Sequence, residues 1–339
     1  MQRAAFVART LRLSVTSRRS MLRLLLRISL LVMFGAHAAH CWAQAFPNKP
    51  IRVLTAEPGG GLDFAARVIS TALSSALGTP VVVTNHGAGS FAAEIVAKAP
   101  PDGYSVLLYG SNVWLSPFLR EDVPWDPIKS FSPVTLATKG PNLVVVHPTL
   151  PVRFVKELIA LARSRPGALN YASGSTGSSP HLAAELFKAH ARVDIVRISY
   201  RGNALAYADV LRGEVPLIFP TAASVTPHLK SGRLRALAVT TKERSRLFPG
   251  LPTVAEGGLP DYEAATLVGV FVPARTPAAV IGRLNRELAS VLNMPDVQAR
   301  FTASGVETVG STPEEFAATI KSEMTRLGSV IKAAGIRDE

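Results

Sequence analysis

Three consecutive glycines, Gly59, Gly60 and Gly61, follow Ala56-Glu57-Pro58 and precede Leu62-Asp63. The run before them, Ile51–Thr55, is apolar and β-branched, and Phe64–Leu77 after them carries apolar residues at helical spacing. Glycine lets a backbone approach a guest closely and turn its N–H groups inward. A helix that begins there adds unpaired N–H donors and a partial positive charge. Strand, glycine turn and helix therefore make a seat for a carboxylate or phosphate that needs no cationic side chain. Glu57, Pro58, Gly59, Gly60, Gly61 and Asp63 form the first candidate binding segment. Glu57 opposes the anion argument unless it points away or meets a cationic part of the guest. Asp63 reads most simply as the helix N-cap, with Arg67 four residues on as a surface ion-pair partner.

A second segment has the same logic. Leu169-Asn-Tyr-Ala-Ser-Gly-Ser-Thr-Gly-Ser-Ser-Pro-His-Leu182 reads as strand, small-residue loop and helix start. Ser173, Ser175, Thr176, Ser178 and Ser179 offer short hydroxyls beside backbone donors, and Gly177 is a candidate binding residue among them. Pro180 suits the first helical position, which makes Ser179 the expected N-cap. Tyr200-Arg201-Gly202 and Ser111-Asn112 also sit just past strands, and Arg201 can bring a fixed charge to a bound anion. Asn85–Phe91 is a further loop of this kind.

Covalent chemistry finds little support. No Gly-x-Ser-x-Gly elbow is present. An exported hydrolase using a serine of Ser173–Ser179 is the rival reading, with His181 the nearby candidate base. His147, His190 and His228 lack ligand-like spacing, so no metal is expected. The glycine run is neither a Gly-x-Gly-x-x-Gly fingerprint nor a P-loop with its lysine, so no cofactor is expected.

The elements that must position these loops alternate in type. Ile51–Thr55, Val81–Thr84, Ser105–Tyr109 and Leu143–His147 read as strands, with helices at Phe64–Leu77 and Ala92–Ala97. Strands at Leu169–Ala172, Ile195–Tyr200, Pro216–Phe219, Leu234–Thr240 and Leu267–Val272 follow. Helices fall at Val155–Arg163, His181–Ala189, Ala204–Arg212, Val225–Ser231, Pro277–Leu292, Asp296–Ser304 and Pro313–Ala334. Such alternation predicts an α/β protein built on parallel sheet. The layout expected is two α/β lobes, residues 44–142 with 266–339 and residues 143–265, facing each other across a cleft with a hinge between them. Ligands of open α/β sheets bind beyond the C-terminal strand ends.

Residues 1–43 read as an export signal that directs the chain to the periplasm. Seven arginines without an acidic residue precede an apolar run from Ile28 to about Ala39, and Cys41-Trp42-Ala43 makes a cleavage site. Ser17-Arg18-Arg19-Ser20-Met21-Leu22-Arg23 resembles a twin-arginine motif, so both the twin-arginine and Sec routes are open. Met21 is an alternative start. Of the 339 residues 47% are hydrophobic, which suits a globular protein. Removal of seven arginines takes the formal charge from +13 to +6 and with it the main argument for nucleic-acid binding. The single cysteine leaves too, so the mature chain has no disulfide or thiolate chemistry. Cys41 as a lipid anchor is disfavoured by the preceding Ala-Ala-His.

From about Phe46 to Ile336 the chain resembles the tripartite tricarboxylate transporter substrate-binding proteins, the Bug-type periplasmic receptors. The resemblance rests on Phe46-Pro-Asn-Lys-Pro-Ile-Arg52, Pro58-Gly-Gly-Gly-Leu-Asp63 and Ala99-Pro-Pro-Asp-Gly-Tyr104. Leu169-Asn-Tyr-Ala-Ser173, Arg235-Ala-Leu-Ala-Val-Thr240, Leu251-Pro-Thr-Val-Ala-Glu256 and Val272-Pro-Ala274 continue it in order. It implies a type II periplasmic-binding-protein fold that closes on a small ligand, usually a carboxylate. It implies a monomer that delivers the ligand to membrane permease subunits or to a sensor. The ligand would be held by backbone amides, hydroxyls and ordered water from Glu57–Asp63 and Ser173–Ser179, with Ser111, Asn112 and Tyr200–Gly202 in support. Departures fall on the site. Ala56-Glu57 stands where an aromatic or proline is usual, and Pro220-Thr221 where an Asp-Asn pair is common. His86, Gly87, Ser90 and Phe91 alter the Asn85 loop, and no aromatic lies at Leu267 or Val268.

Overall fold

The computed structural model describes residues 46–87, 91–333 and 335–337. The expected export segment 1–43, with Cys41 and Ala43, and residues 88–90 of the Asn85 loop lie outside them. The chain divides at Asn48/Lys49, and the larger unit carries everything that follows.

Its first strands and helices are β1 (Ile51–Thr55), α1 (Gly61–Leu77), β2 (Val81–Asn85), α2 (Phe91–Ala97), β3 (Ser105–Tyr109) and α3 (Asn112–Leu119). The chain then runs through β4 (Phe131–Pro141), β5 (Leu143–Val146), α4 (Val155–Ser164), β6 (Leu169–Ser173), α5 (Ser179–Ala191), β7 (Ile195–Ser199) and α6 (Asn203–Arg212). After β8 (Leu217–Ile218), α7 (Ala222–Lys230), β9 (Arg235–Val239) and β10 (Ala265–Pro273) come α8 (Ala278–Leu292), α9 (Pro295–Ala303), β11 (Glu307–Thr308) and α10 (Pro313–Ala333).

The strands form two sheets. One has six strands in the order β11-β4-β10-β3-β1-β2, the other five in the order β7-β6-β8-β5-β9. Each has a parallel portion, β2, β1 and β3 in the first and β7, β6 and β8 in the second. The rest is antiparallel: β10 against β3 and β4, β11 against β4, and β5 against β8 and β9. This corrects the expectation of parallel sheet. Four of these antiparallel strands, β4, β5, β9 and β10, carry the chain between sheets. Only Asn142 separates β4 from β5, and the return runs from β9 to β10.

Residues 110–142, where the sequence pattern assigns no element, hold α3 and the eleven-residue β4. Helix α3 is buried on nearly every side and contains Pro117, so it shows no amphipathic period. Strand β4 carries Pro133 and ends in Lys139-Gly140-Pro141, residues that read as a breaker in isolation. Tertiary pairing along the length of β10 overrides that local signal.

Helix α1 follows directly from its sequence. Ala65, Ala66, Val68, Ile69 and Leu73 repeat at helical spacing and are buried, and Gly78 ends the helix at φ 61° in the left-handed region. On the other side of this sheet Trp114, Phe271 and Phe316 pack together, with Phe271 and Phe316 5.0 Å apart. Gly269 makes that possible, since a Cβ there would lie 1.9 Å from Phe316 Cζ. Burying a phenylalanine this way stabilises the fold by roughly 1.5–3 kcal/mol. In the second sheet's core Phe187 and Phe219 pack at 5.3 Å.

Candidate functional site: a cleft ringed by helix N-termini

The two sheets face each other across a cavity of about 80 Å³. Four strand-to-helix turns reach it. Gly60 and Gly61 come from β1–α1, and Gly110 and Asn112 from β3–α3; Ser173 to Ser175 and Ser178 to Pro180 come from β6–α5 and Pro220 to Ser224 from β8–α7. All four turns leave the C-terminal ends of strands in the parallel portions, where open α/β sheets bind ligands.

The start of α1 sits where the glycine run needs it. Gly60 is the N-cap residue in extended conformation and makes no side-chain cap. Gly59, at φ 82°, reverses the chain, and its N–H donates to Asp63 Oδ2 at 3.1 Å. Asp63 is therefore not the N-cap, as the sequence suggested, but the third helical residue reaching back to the turn. It also accepts Arg67 Nε at 2.9 Å and Asn85 Nδ2 at 2.8 Å. Burial pushes its pKa up, but the hydrogen bonds from Arg67, Asn85 and Gly59 win and hold it below the ordinary value. Asp63 thus shapes the turn from behind; Asp63, Pro58 and Gly59 do not line the cavity.

On the opposite rim Ser173, Ser175 and Ser178 line the cavity, while Thr176 and Gly177 do not. The N-cap of α5 is Ser178, one residue before the expected Ser179, and Pro180 takes the second helical position. Gly177, at φ 74°, donates its N–H to His181 Nδ1 at 3.1 Å. The imidazole is buried, and burial, reinforced by the charges of Arg197 and Lys188, pushes its pKa down to about 3. A neutral histidine accepting from the loop backbone is a structural post, already occupied at Nδ1.

The supporting residues divide. Asn112 lines the cavity; Ser111 is buried behind it. Tyr200, Arg201 and Gly202 stay outside the lining, and Arg201 is exposed. The reason is sheet order. Strand β7 is an edge strand, whereas the cavity lies over β6 and β8. The Tyr200 turn instead braces the rim, with its N–H donating to the Ser173 carbonyl at 2.9 Å. At edge strand β2 the described residues Asn85, His86, Gly87 and Phe91 likewise do not line the cavity.

The candidate set drawn from the sequence omits Thr221, Ser224 and Thr266, which line the cavity together with Ser179 of the expected Ser173–Ser179 loop. Thr221 is the N-cap residue of α7, which begins three residues before the predicted helix. A threonine after the β8 strand was the available signal. Ser179 and Thr266 belong to a buried knot around Asn142, at the crossing between the sheets. Asn142 Nδ2 donates to Ser179 Oγ at 2.6 Å, its Oδ1 accepts from Thr266 Oγ1 at 3.0 Å, and its carbonyl accepts from Thr240 Oγ1 at 2.8 Å. No local pattern announces that knot.

Chemically, the lining offers donors and almost no charge. Three long helices, α1, α5 and α7, point their N-termini at it, each favouring an anion by about 0.3–2 kcal/mol. Glu57 is the single acidic or basic side chain among the described lining residues. An anionic oxygen about 4 Å from it is repelled by roughly 4 kcal/mol at an effective dielectric near 20. An anion in this cavity would therefore be favoured at the helix N-termini and disfavoured beside Glu57. Tyr109, also in the lining, stays a neutral phenol, because burial and then the Glu57 charge push its pKa up. Among the described residues no cluster of three or more His, Cys, Asp or Glu can hold a metal ion.

Two lobes joined by crossing strands, with the parallel strand ends opposed over a donor-lined cleft, define the type II periplasmic-binding-protein fold. Residues 65–336 match the model of the tripartite tricarboxylate transporter family receptor, and the chain belongs to that family. Protein BugT of Bordetella pertussis is 34% identical over 323 residues, covering 94% of this chain and 99% of its own. Among solved structures, R. palustris Rpa4515 with adipate is 34% identical with a TM-score of 0.83, over 86% of this chain and 99% of its own. MatC (Rpa3494) of Rhodopseudomonas palustris with bound malate is 27% identical with a TM-score of 0.80, over 84% of this chain and 100% of its own. The family and these neighbours are solute-binding receptors, not enzymes. The hydrolase alternative falls with that, and His181 is already committed to Gly177.

Proposed function

We propose that this chain is an exported periplasmic receptor that captures a small organic carboxylate and delivers it to the membrane subunits of a tripartite tricarboxylate-type transporter. The observation that carries the reading is the convergence of the α1, α5 and α7 N-termini, from both sheets, on one cavity. The adipate and malate held by two structural neighbours support a carboxylate. The ligand-binding set is Glu57, Gly60, Gly61, Asn112, Ser173, Ser175 and Ser178, with Thr221 and Thr266 added. Pro58, Gly59, Asp63, Ser111, Thr176, Gly177, Tyr200, Arg201 and Gly202 frame it.

The lobes are residues 44–142 with 266–339 and residues 143–265. They close as rigid bodies about the two crossings, so that a ligand touching both rims stabilises the closed form. The mature protein acts as a monomer, cleaved near Ala43. A thermal-shift screen of ligand-free mature protein against di- and tricarboxylates and other organic acids tests the reading. At least one acid raises the melting temperature in a dose-dependent way; if none does, the carboxylate reading fails. Mass spectrometry of the periplasmic protein checks the cleavage position.

A further inference from the structure

Glu57 occupies an unusual position for a receptor of anions. Among the described residues its Oε1 accepts from Ser175 Oγ of the opposite rim, at a long 3.4 Å. Its Oε2 is buried and meets no protein donor. None of the ion pairs among the described residues includes it. Nearby cations are engaged elsewhere or turned away: Arg67 with Asp63 and Asn85, Arg197 with the Gly174 carbonyl, and Arg201 at the surface. Gly202 of the opposite rim is its neighbour, since a Cβ there would sit in ordinary contact 3.4 Å from Glu57 Cγ. Glu57 thus lines the cavity with the Tyr200 turn beside it.

A buried carboxylate oxygen without a donor is costly, and in a ligand cavity it marks where the ligand supplies one. The remaining lining favours negative charge at the helix N-termini. The cavity is therefore bipolar, with an anion seat on the helix side and a cation seat at Glu57. A second carboxylate of a diacid would be driven against Glu57; an ammonium N–H would satisfy both its charge and its empty acceptor.

We propose that the solute is an ammonium carboxylate, an amino acid in the broad sense, whose nitrogen donates to Glu57 Oε2 while its carboxylate lies on the helix N-termini. The inference rests on the carboxylate reading above and narrows it. Titration calorimetry on the ligand-free mature protein tests it with pairs matched in methylene count. These are β-alanine against succinate, 4-aminobutanoate against glutarate and 5-aminopentanoate against adipate, with 4-hydroxybutanoate and the common α-amino acids as further probes. At least one ammonium acid should bind tenfold or more tightly than every diacid tested, about 1.4 kcal/mol. Glu57→Gln, which keeps the shape and removes the charge, should shrink that preference by tenfold or more.

If the diacids bind as well or better, the cation seat is overturned while the carboxylate reading stands. If 4-hydroxybutanoate matches 4-aminobutanoate, Glu57 recognises a donor and not a charge, and the proposal also falls. An unchanged preference in Glu57→Gln overturns it as well. If no probe binds, both readings fail together. Should Glu57→Gln not fold, the ranking on the parent protein still decides.

Discussion

Gly61→Ala separates ligand binding from folding with a single methyl group. Gly61 is the first residue of α1, and a Cβ built on it lies 2.7 Å from Thr221 Oγ1, across the cleft on the other lobe. Ordinary contact begins near 3.4 Å, so the rims cannot come this close with alanine in place. Thr221 has little freedom to yield, because turning its hydroxyl away gives up the 2.8 Å contact with Ser224 Oγ. Overpacking of this kind costs about 1–3 kcal/mol. Charged to the closed form alone, that is a loss of roughly 5- to 150-fold in affinity. The effect on folding has the opposite sign, since alanine at a helical position is favoured over glycine by up to about 1 kcal/mol. The ligand-free melting temperature should therefore hold or rise while binding weakens. Calorimetric titration with whichever acid the screen identifies reads the first, and differential scanning calorimetry the second. Thr221→Ala removes the opposing oxygen, so the double variant should recover most of the lost affinity. An affinity within twofold of the parent refutes the idea that these rims meet when ligand is held. So does a double variant no better than Gly61→Ala.

The buried histidine gives a pH signature. His181 has a folded pKa near 3 against about 6.5 unfolded, so the unfolded chain takes up its proton first. Its contribution is full above pH 6.5 and is lost as pH falls toward 3, by at most about 1.4 kcal/mol per unit. Urea unfolding at pH 7, 5.5 and 4.5 should show a gentler acid slope for His181→Gln than for the parent. At Asp63 the sign is the usual carboxylate one: its stabilisation is present above the unfolded value and lost as pH falls through the lowered folded one. Asp63→Asn should cost about 1–3 kcal/mol at pH 7 by leaving donors of Arg67 or Gly59 unmatched, and urea titration should show the gap closing in acid. Arg201→Ala should leave ligand affinity within twofold in the same calorimetric assay. A tenfold loss would mean that the Tyr200 turn reaches the ligand after all.

The parts of the site that sequence revealed are those whose physics is local. A glycine run between a β-branched strand and an amphipathic helix specifies its own geometry, and Gly60 and Gly61 lie where it put them. The Ser173–Ser178 loop is legible for the same reason, down to a one-residue error in the cap. What failed was nonlocal. Arg201 sits at a strand end as well placed in sequence as Ser173. Only the order β7-β6-β8-β5-β9 shows that its strand is at the edge and its turn a brace. Asp63 has the right residue type for a cap, but the helix starts earlier than its apolar period, on the glycines themselves. Strand β4 was invisible because its proline and glycine are tolerated only through pairing with β10, a partner more than a hundred residues away.

The same distinction bears on how specificity is set in this fold. The helix N-termini are backbone, so almost any sequence with these turns retains an anion seat, and ligand choice passes to the few side chains that intrude on it. Here the intruders with polar atoms are mostly hydroxyls and amides, which adapt to donor or acceptor alike. Glu57 does not adapt: a carboxylate can only accept, and one of its oxygens is unmatched. In a cavity otherwise built to be tolerant, the one group that cannot change its sign decides which end of the solute goes where.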